Sequence, residues 1–242
     1  MDSIALHPLG QDAIVIQCAL RVDDKVVAQV HDIKARLEEH VIDGVVEIVP
    51  ALTSVLVRFD PILVSRDRVL EFIKPHCELA SLRDVCVPAV SRLWTIPVCV
   101  TGPAAPDLAE VSSLTGISEQ ALIEDVLTAS LRVLAIGFAP GQPYIGMLPK
   151  TWDFARKPEL TEQVPEGALV TAVRQLVLFA NSSPTGWRQI GQCAFRPFDP
   201  TSANPIPLRA GDGIAFRQIG YEDMQSLIRA SDPLGGAQCQ DL

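Results

Sequence analysis

Apolar and polar positions in the first 88 residues follow two different periods. Residues 25–41 place apolar side chains at helical spacing, and residues 66–74 repeat this spacing up to Pro75, where we expect the helix to end. Short apolar runs have the composition of strands, and they lie at 4–7, 13–18, 45–49 and 54–59. The order β-β-α-β-β-α predicts a small α+β domain, a ferredoxin-like antiparallel sheet with helices on one face.

Beyond a weakly patterned stretch near 80–92, the pattern changes. An apolar run at 93–100 contains a proline and predicts an edge strand, while Asp107 and Ser118 stand where two short helices would begin. The remaining runs are separated by Pro and Gly, and they lie at 131–138, 168–173, 176–180, 188–195, 205–208 and 213–217. Such spacing is typical of a barrel or sandwich of short strands.

These patterns divide the chain into three parts. Residues 1–88 form the small α+β domain, and residues 89–220 form a mainly-β barrel domain. Residues 221–242 hold a last helix, predicted over 221–231, and a polar tail.

Composition excludes several classes of protein. The chain has 20 Lys and Arg against 29 Asp and Glu, a net charge of -9, which argues against a nucleic-acid partner. We expect neither a membrane-spanning helix nor a signal peptide, because the sequence has no long apolar run and its first ten residues lack the basic and apolar regions of a signal. The six cysteines form no CxxC pair, so we expect small apolar residues in a reduced, cytoplasmic protein.

Common catalytic motifs are missing. The sequence has no Walker-type phosphate loop, no GxGxxG and no GxSxG. All four histidines lie in the first 76 residues, so the β-rich domain holds neither a Ser-His-Asp device nor a histidine metal site of its own. We therefore assign no catalytic residue and no metal site from the sequence.

The segment 137–149, GFAPGQPYIGMLP, is the most distinctive part of the chain. Its Gly and Pro residues shape the backbone and display Phe138 and Tyr144, as a binding loop would, although a proline-rich barrel corner has the same composition. Trp187 is either a core residue or the wall of a pocket. Arg156 and Lys157 could receive a carboxylate, or they could be solvated charges.

Together these segments resemble the KipI / PxpB family of 5-oxoprolinase subunits, also called allophanate hydrolase subunit 1. The resemblance is carried by VPALTSVLVRFDP (49–61), PDL (106–108), GISEQALIE (116–124), GFAPGQPYIGMLP (137–149), VPEGAL (164–169), SPTGWRQIG (183–191), FDP (198–200) and LRAGDGIAF (208–216). Their order and spacing are those of the family, and the Gly-Pro loop is the most specific of them.

The resemblance implies that the β-rich domain is a cyclophilin-like barrel. It also implies a PxpC-like partner (allophanate hydrolase subunit 2 type) and a PxpA-like protein, together forming an ATP-dependent 5-oxoprolinase. This chain alone would bind no cofactor, and ATP would be used by the complex. The candidate substrate-binding residues are Phe138, Pro140, Gly141, Tyr144, Arg156, Gln175 and Trp187.

The sequence departs from the family pattern at several places, and at three of them a polar or small pocket residue is replaced by an apolar one. Val126 stands in the place of a histidine, and Leu176 and Val177 replace a Thr-Gly pair after Gln175. A polar site loses discrimination when its hydrogen-bonding groups are replaced. These departures leave room for a KipI-like regulator that binds and inhibits a sensor histidine kinase, and for a subunit that only stabilises its partner. A homo-oligomer is a further alternative.

Overall fold

The computed structural model describes residues 4–82 and 89–242. The chain divides into two compact units, Met1–Ala89 and Val90–Leu242. It is a mixed α/β protein with five α-helices in its described part. No helix among those residues is long and apolar enough to cross a membrane.

The first unit is a four-stranded antiparallel sheet with two helices. Its elements are β1 (Ala5–Leu9), β2 (Ala13–Gln17), α1 (Asp24–Glu39), β3 (Val45–Pro50), β4 (Ser54–Phe59) and α2 (Arg66–Leu82). The strand order is β1-β2-β4-β3, so β4 lies between the two strands that α1 connects. This confirms the predicted β-β-α-β-β-α order.

Alternate residues of the central strands face the helices. Ile14 and Ile16 of β2 are fully buried, as are Val55 and Val57 of β4. They share one apolar core with residues of both helices, namely Val30, Ile33, Leu37, Val69 and Ile73. Asp23 begins α1, because its side chain accepts a hydrogen bond from the Val26 amide at 2.8 Å.

The prediction that the second helix ends at Pro75 is wrong. α2 continues through the proline to Leu82, with Cys77 and Ala80 buried in the same core as Ile73. Burial of this apolar face outweighs the backbone hydrogen bond that proline removes. Pro75 itself is exposed, so water can reach the backbone on that side of the helix.

The second unit is built on one eight-stranded sheet. Its elements are β5 (Arg92–Val98), α3 (Leu108–Thr115), α4 (Glu119–Thr128), β6 (Leu131–Ile136), β7 (Pro143–Gly146), β8 (Thr161–Val164), β9 (Ala168–Ala172), β10 (Gln175–Leu178), β11 (Ser183–Thr185), β12 (Arg188–Gln192), β13 (Gly213–Gln218), α5 (Tyr221–Ala230) and β14 (Gln238–Asp241). The sheet order is β12-β9-β10-β7-β6-β13-β5-β14, and β8 and β11 pair separately.

The large sheet curls back on itself. Cys99, directly after β5, and Gln192, at the end of β12, form an antiparallel bridge with N···O distances of 2.8 and 2.9 Å. The bridge joins β12, at one edge of the sheet order, to the chain that leaves β5. The main core of this unit includes side chains with no exposed surface from strands and helices alike, among them Ile96, Val98, Leu122, Ile145 and Trp152.

Three features of the second unit differ from the prediction. β5 is not an edge strand, since it lies between β13 and β14. It tolerates Pro97 because the pairing with β14 ends at Gln238↔Thr95. Beyond that pair, no β14 carbonyl needs the N–H that proline lacks. Residues 205–208 form no strand. The polar tail after α5 forms β14, which the run of exposed residues at 238–241 does not indicate.

Candidate functional site

A second, smaller apolar core lies on the other face of β7, β9 and β10. It contains Val170, Val177, Phe179 and Trp187, with Tyr144 packed against it. Tyr144 is in register with Val177, and Gly146 with Gln175. Because side chains alternate along a strand, Tyr144 and Gln175 project from the same face of the sheet.

Three of the predicted site residues meet on this face. The guanidinium carbon of Arg156 lies 4.8 Å from the centre of the Trp187 ring, over its face. The Tyr144 ring meets Trp187 edge to face at 6.2 Å between centroids. Trp187 is buried and Arg156 exposed, so the tryptophan is both a core residue and the support of an exposed cation. Arg156 has no ion pair with any described residue.

The loop that carries Arg156 is held on both sides. The Ala155 carbonyl accepts a hydrogen bond from Arg188 at 2.8 Å, and the Lys157 amide donates to the Gly186 carbonyl at 2.7 Å. The Arg188 side chain is buried and also donates to Glu110 at 2.8 Å. These contacts fix the backbone on either side of Arg156 next to Trp187.

Lys157 has a structural role. Its ammonium group lies 2.7 Å from Asp107 Oδ1 and 3.5 Å from Glu110 Oε2. The other oxygen of Asp107 accepts from the Gln189 amide at 2.7 Å. Lys157 is therefore already paired with Asp107, at the N-cap of α3, and with Glu110, inside α3. Of the two cations predicted to receive a ligand carboxylate, Arg156 is the one available to bind it. Asp107 stands at the N-cap of α3, as predicted, but its side chain caps no helix amide.

A turn between β9 and β10 supports the same loop. Val173 and Arg174 both have positive φ, 45° and 64°, as in a type I′ hairpin turn. Their amides donate to the carbonyls of Phe154 and Trp152 at 2.9 and 3.0 Å, and Trp152 Nε1 donates to Asp125 at 2.8 Å. The chain that leads to Arg156 is thus tied to the sheet and to α4.

Tyr144 keeps its proton in this setting. Partial burial raises the pKa of the phenol above its ordinary value, while the neighbouring Arg156 charge and the Gln142 side-chain amide act in the opposite direction. A protonated phenol beside a guanidinium offers hydrogen-bond donors to one ligand oxygen or carboxylate.

Gln142 is a site residue that sequence reasoning missed. It is 2% exposed, and its Oε1 has no hydrogen-bond partner. A buried, unpaired acceptor costs about 1–3 kcal/mol, so a native chain rarely keeps one without a reason. Gln142 and Tyr144 are two positions apart and share a face. The signal that could have found it is a polar residue between Gly141 and Pro143, in the most distinctive segment of the chain.

The remaining predicted site residues lie at or near the tip of the β6–β7 loop. Phe138 is 83% exposed with φ of 70°, and Pro140 is exposed. Gly141 is buried with φ of 72°, and a side chain there would meet the Pro197 carbonyl, so glycine is required. None of these three contacts the Tyr144–Trp187–Arg156 cluster through any ring contact or hydrogen bond of the described residues.

The three departures from the family pattern fill the two cores. Val126 and Leu176 belong to the main core of the second unit, and Val177 belongs to the smaller one. Each has at most 2% of its surface exposed. These side chains pack in the cores where the polar residues of the family pattern could form hydrogen bonds, and they present no apolar surface to a partner.

Two further features bear on possible ligands. Within 4–82 and 89–242 no group of three or more His, Cys, Asp or Glu is arranged to hold a metal ion. A cavity of about 210 Å³ lies between α5 and the turns around Glu166 and Arg196, and no predicted site residue lines it. The cysteines in the described part form no disulfide with one another, and of these only Cys239 is exposed, while Cys86 lies outside that part.

The fold and these segments match known proteins. The family model of the carboxyltransferase domain, subdomain C and D, matches residues 4–208. The PxpB-type 5-oxoprolinase subunit of Bacillus subtilis is 30% identical over 235 residues, which cover 94% of this chain and 98% of the relative. The chain therefore belongs to the carboxyltransferase-domain family that includes this 5-oxoprolinase subunit, as its motifs predict.

Solved structures agree on the fold. The protein TTHA0988 is 26% identical with a TM-score of 0.69, and the match covers 86% of this chain and 40% of that one. The Kluyveromyces lactis urea carboxylase is 15% identical with a TM-score of 0.73, covering 99% of this chain and 24% of that one. The chain thus spans about two fifths of TTHA0988 and a quarter of the carboxylase.

Proposed function

We propose that this chain is a subunit of an ATP-dependent, 5-oxoprolinase-like complex that hydrolyses a lactam or amide. The observation that carries the proposal is the exposed Arg156 cation, fixed over Trp187 beside Tyr144 in a chain of this family. A guanidinium and a phenol are donors suited to a small carboxylate such as that of 5-oxoproline. The name of the Bacillus subtilis relative supports the same reaction.

Each group of the cluster has a role in this proposal. Arg156 binds the ligand carboxylate, Tyr144 donates a hydrogen bond from its hydroxyl to a ligand oxygen, and Trp187 supports both. Gln175, buried on the same sheet face, supplies an amide. ATP is bound and used by other chains of the complex, and this chain holds no cofactor of its own.

The partner in the proposal is a PxpC-like subunit, with a PxpA-like protein completing the complex in the cytoplasm. The fold proposed for the second unit is a cyclophilin-like barrel, supported by the Cys99–Gln192 bridge between the edge strand β12 and the chain that leaves β5. For the first unit it is a ferredoxin-like arrangement, supported by β4 lying between the strands that α1 connects.

The regulatory alternative, a KipI-like inhibitor of a sensor histidine kinase, depended on apolar replacements at Val126, Leu176 and Val177. Because these side chains are buried in cores, they give that alternative no support. The lactam-hydrolase subunit therefore stands as the better-supported proposal.

Purification of the tagged full chain from its own host tests the choice of complex. We expect a PxpC-like chain to be recovered in stoichiometric amount, identified by mass spectrometry. A strain that carries the same tag on an unrelated protein is the control. Recovery of a sensor kinase without a PxpC-like chain would overturn the proposal, and so would recovery of the chain alone.

A further inference from the structure

Gln142 is the described site residue whose hydrogen bonding is incomplete. Its side-chain amide is close enough to the Tyr144 phenol to lower the pKa of that hydroxyl, as a nearby hydrogen-bond donor does. Its other end, Oε1, is an acceptor without a partner in an almost fully buried side chain. The residue thus has an unused acceptor next to the cluster.

The position of Gln142 connects it to the site. The Gly137 amide donates to the Gln142 carbonyl at 3.0 Å, and the Gln142 amide donates to the Ala139 carbonyl at 3.1 Å. These bonds close the loop and hold Gln142 directly before β7, on the sheet face of Tyr144. The amide nitrogen and Oε1 are bonded to the same carbon, so an amide whose nitrogen faces Tyr144 also holds Oε1 next to the phenol.

We propose that Gln142 is a specificity-determining residue, whose Oε1 accepts a hydrogen bond from an N–H group of the ligand. The ligand class is a small carboxylate with an amide or lactam N–H, and this inference rests on the proposed function for its carboxylate. Arg156 and Tyr144 hold the oxygens, while Gln142 distinguishes N–H from an oxygen or methylene in the same place. A buried acceptor left unpaired by the wrong ligand provides strong discrimination.

Binding of three ring compounds to the full chain, alone and with its partner subunit, tests this by calorimetry. The compounds are 5-oxoproline, the γ-lactone that carries ring oxygen in place of N–H, and 2-pyrrolidone, which lacks the carboxylate. We expect the wild type to bind the lactam at least about 10-fold more tightly than the lactone. Gln142→Met should reduce this ratio to about one, because Met has a similar volume and cannot accept the bond.

Two further variants separate the possible failures. Gln142→Glu keeps an acceptor, so the lactam-to-lactone ratio should persist although its charge weakens binding of both compounds. Arg156→Gln should weaken both equally and leave the ratio unchanged. Gln120→Met, on the exposed side of α4, is the matched control and should behave as wild type. Thermal melts confirm that each variant is folded.

Each result decides between the two claims. An unchanged ratio in folded Gln142→Met, or a wild-type ratio near one, overturns the role of Gln142 and leaves the proposed function standing. Equal binding of 2-pyrrolidone and 5-oxoproline overturns the carboxylate site of the proposed function. Absence of binding by all three compounds, with and without the partner, overturns both.

Discussion

At the scale of single residues, environment decides what each functional group can do. Arg156 is available because Lys157, its neighbour, is held by Asp107 and Glu110. Burial raises the pKa of Tyr144 above its ordinary value, so its phenol remains protonated further into the alkaline range than an exposed one. Cysteine shows the same dependence, since burial makes most of the thiols in the described part unreactive.

The buried thiols predict how stability changes at high pH. Burial raises the pKa of Cys18, Cys77 and Cys193 to about 12 in the folded chain, from an ordinary thiol value of 9.0. Their contribution is therefore complete below pH 9 and is lost as the pH rises toward 12, because the unfolded chain releases these protons first. Urea unfolding between about pH 8 and about pH 11 should show a falling free energy of unfolding.

Variants test the cause of this fall. The double variant Cys18→Ala, Cys77→Ala should lose less free energy of unfolding between about pH 8 and about pH 11 than the wild type, whatever its stability at the lower pH. The exposed Cys239→Ala should show the wild-type decline. An identical decline in the double variant would contradict the assignment to buried thiols.

At the scale of elements, a few tertiary contacts decide where helices end and how loops are held. α2 passes through Pro75 because its buried face continues, and the Arg156 loop is ordered by contacts with α3 and β12. Neither effect is visible in local sequence patterns. Both can be measured by removing one contact at a time.

Asp107 should be among the more important charges of the second unit. It joins α3 to the Gln189 amide and to Lys157, with both distances at 2.7 Å. We expect Asp107→Ala to lower the free energy of unfolding by about 2–4 kcal/mol, since it leaves the part-buried Gln189 amide without an acceptor and removes the shorter of the two carboxylate contacts of Lys157. Chemical denaturation measures this. Glu119→Ala, at the exposed start of α4, is the matched control and should change stability by less than about 0.5 kcal/mol. A loss as small as that in Asp107→Ala would contradict the role of the carboxylate.

Pro75 should lower the stability of α2, and its replacement should increase the stability of the first unit. Pro75→Ala restores an amide for the helical hydrogen bond and relieves the clash of the ring with the preceding turn. We expect the free energy of unfolding to rise by about 1–3 kcal/mol, as measured by urea denaturation. Lys74→Ala, at the neighbouring exposed position, should be nearly neutral. A destabilised Pro75→Ala would show that the proline is required for the path of α2.

At the scale of the whole molecule, sequence patterns predicted most of the architecture. The order of elements in the first unit follows from apolar periodicity, and the start of α4 follows from Ser118, whose side chain accepts from the Ala121 amide. The short strands β7, β8, β11 and β14 were missed. Each has only three or four residues, too few for a period, and their pairing is decided by partners far along the chain.

The candidate site was predicted in composition and not in geometry. Arg156, Tyr144 and Trp187 were singled out from the sequence, and the structure brings them together. The ion pairs of Lys157 with Asp107 and of Arg188 with Glu110, which order the Arg156 loop, could not be predicted. They join residues up to 78 positions apart. Gln142 was missed because an unpaired acceptor is a property of packing.

The most direct test of the proposed function is the release of glutamate from 5-oxoproline by the full chain reconstituted with its PxpC-like and PxpA-like partners. We predict release that requires ATP, and a loss of about 10-fold or more in kcat/KM, carried mainly by KM, when Arg156→Gln removes the carboxylate contact. Lys157→Gln, a loss of charge at the next residue, is the comparison and should act through stability. ATP-independent release, no release, or full activity of a folded Arg156→Gln complex would contradict the account.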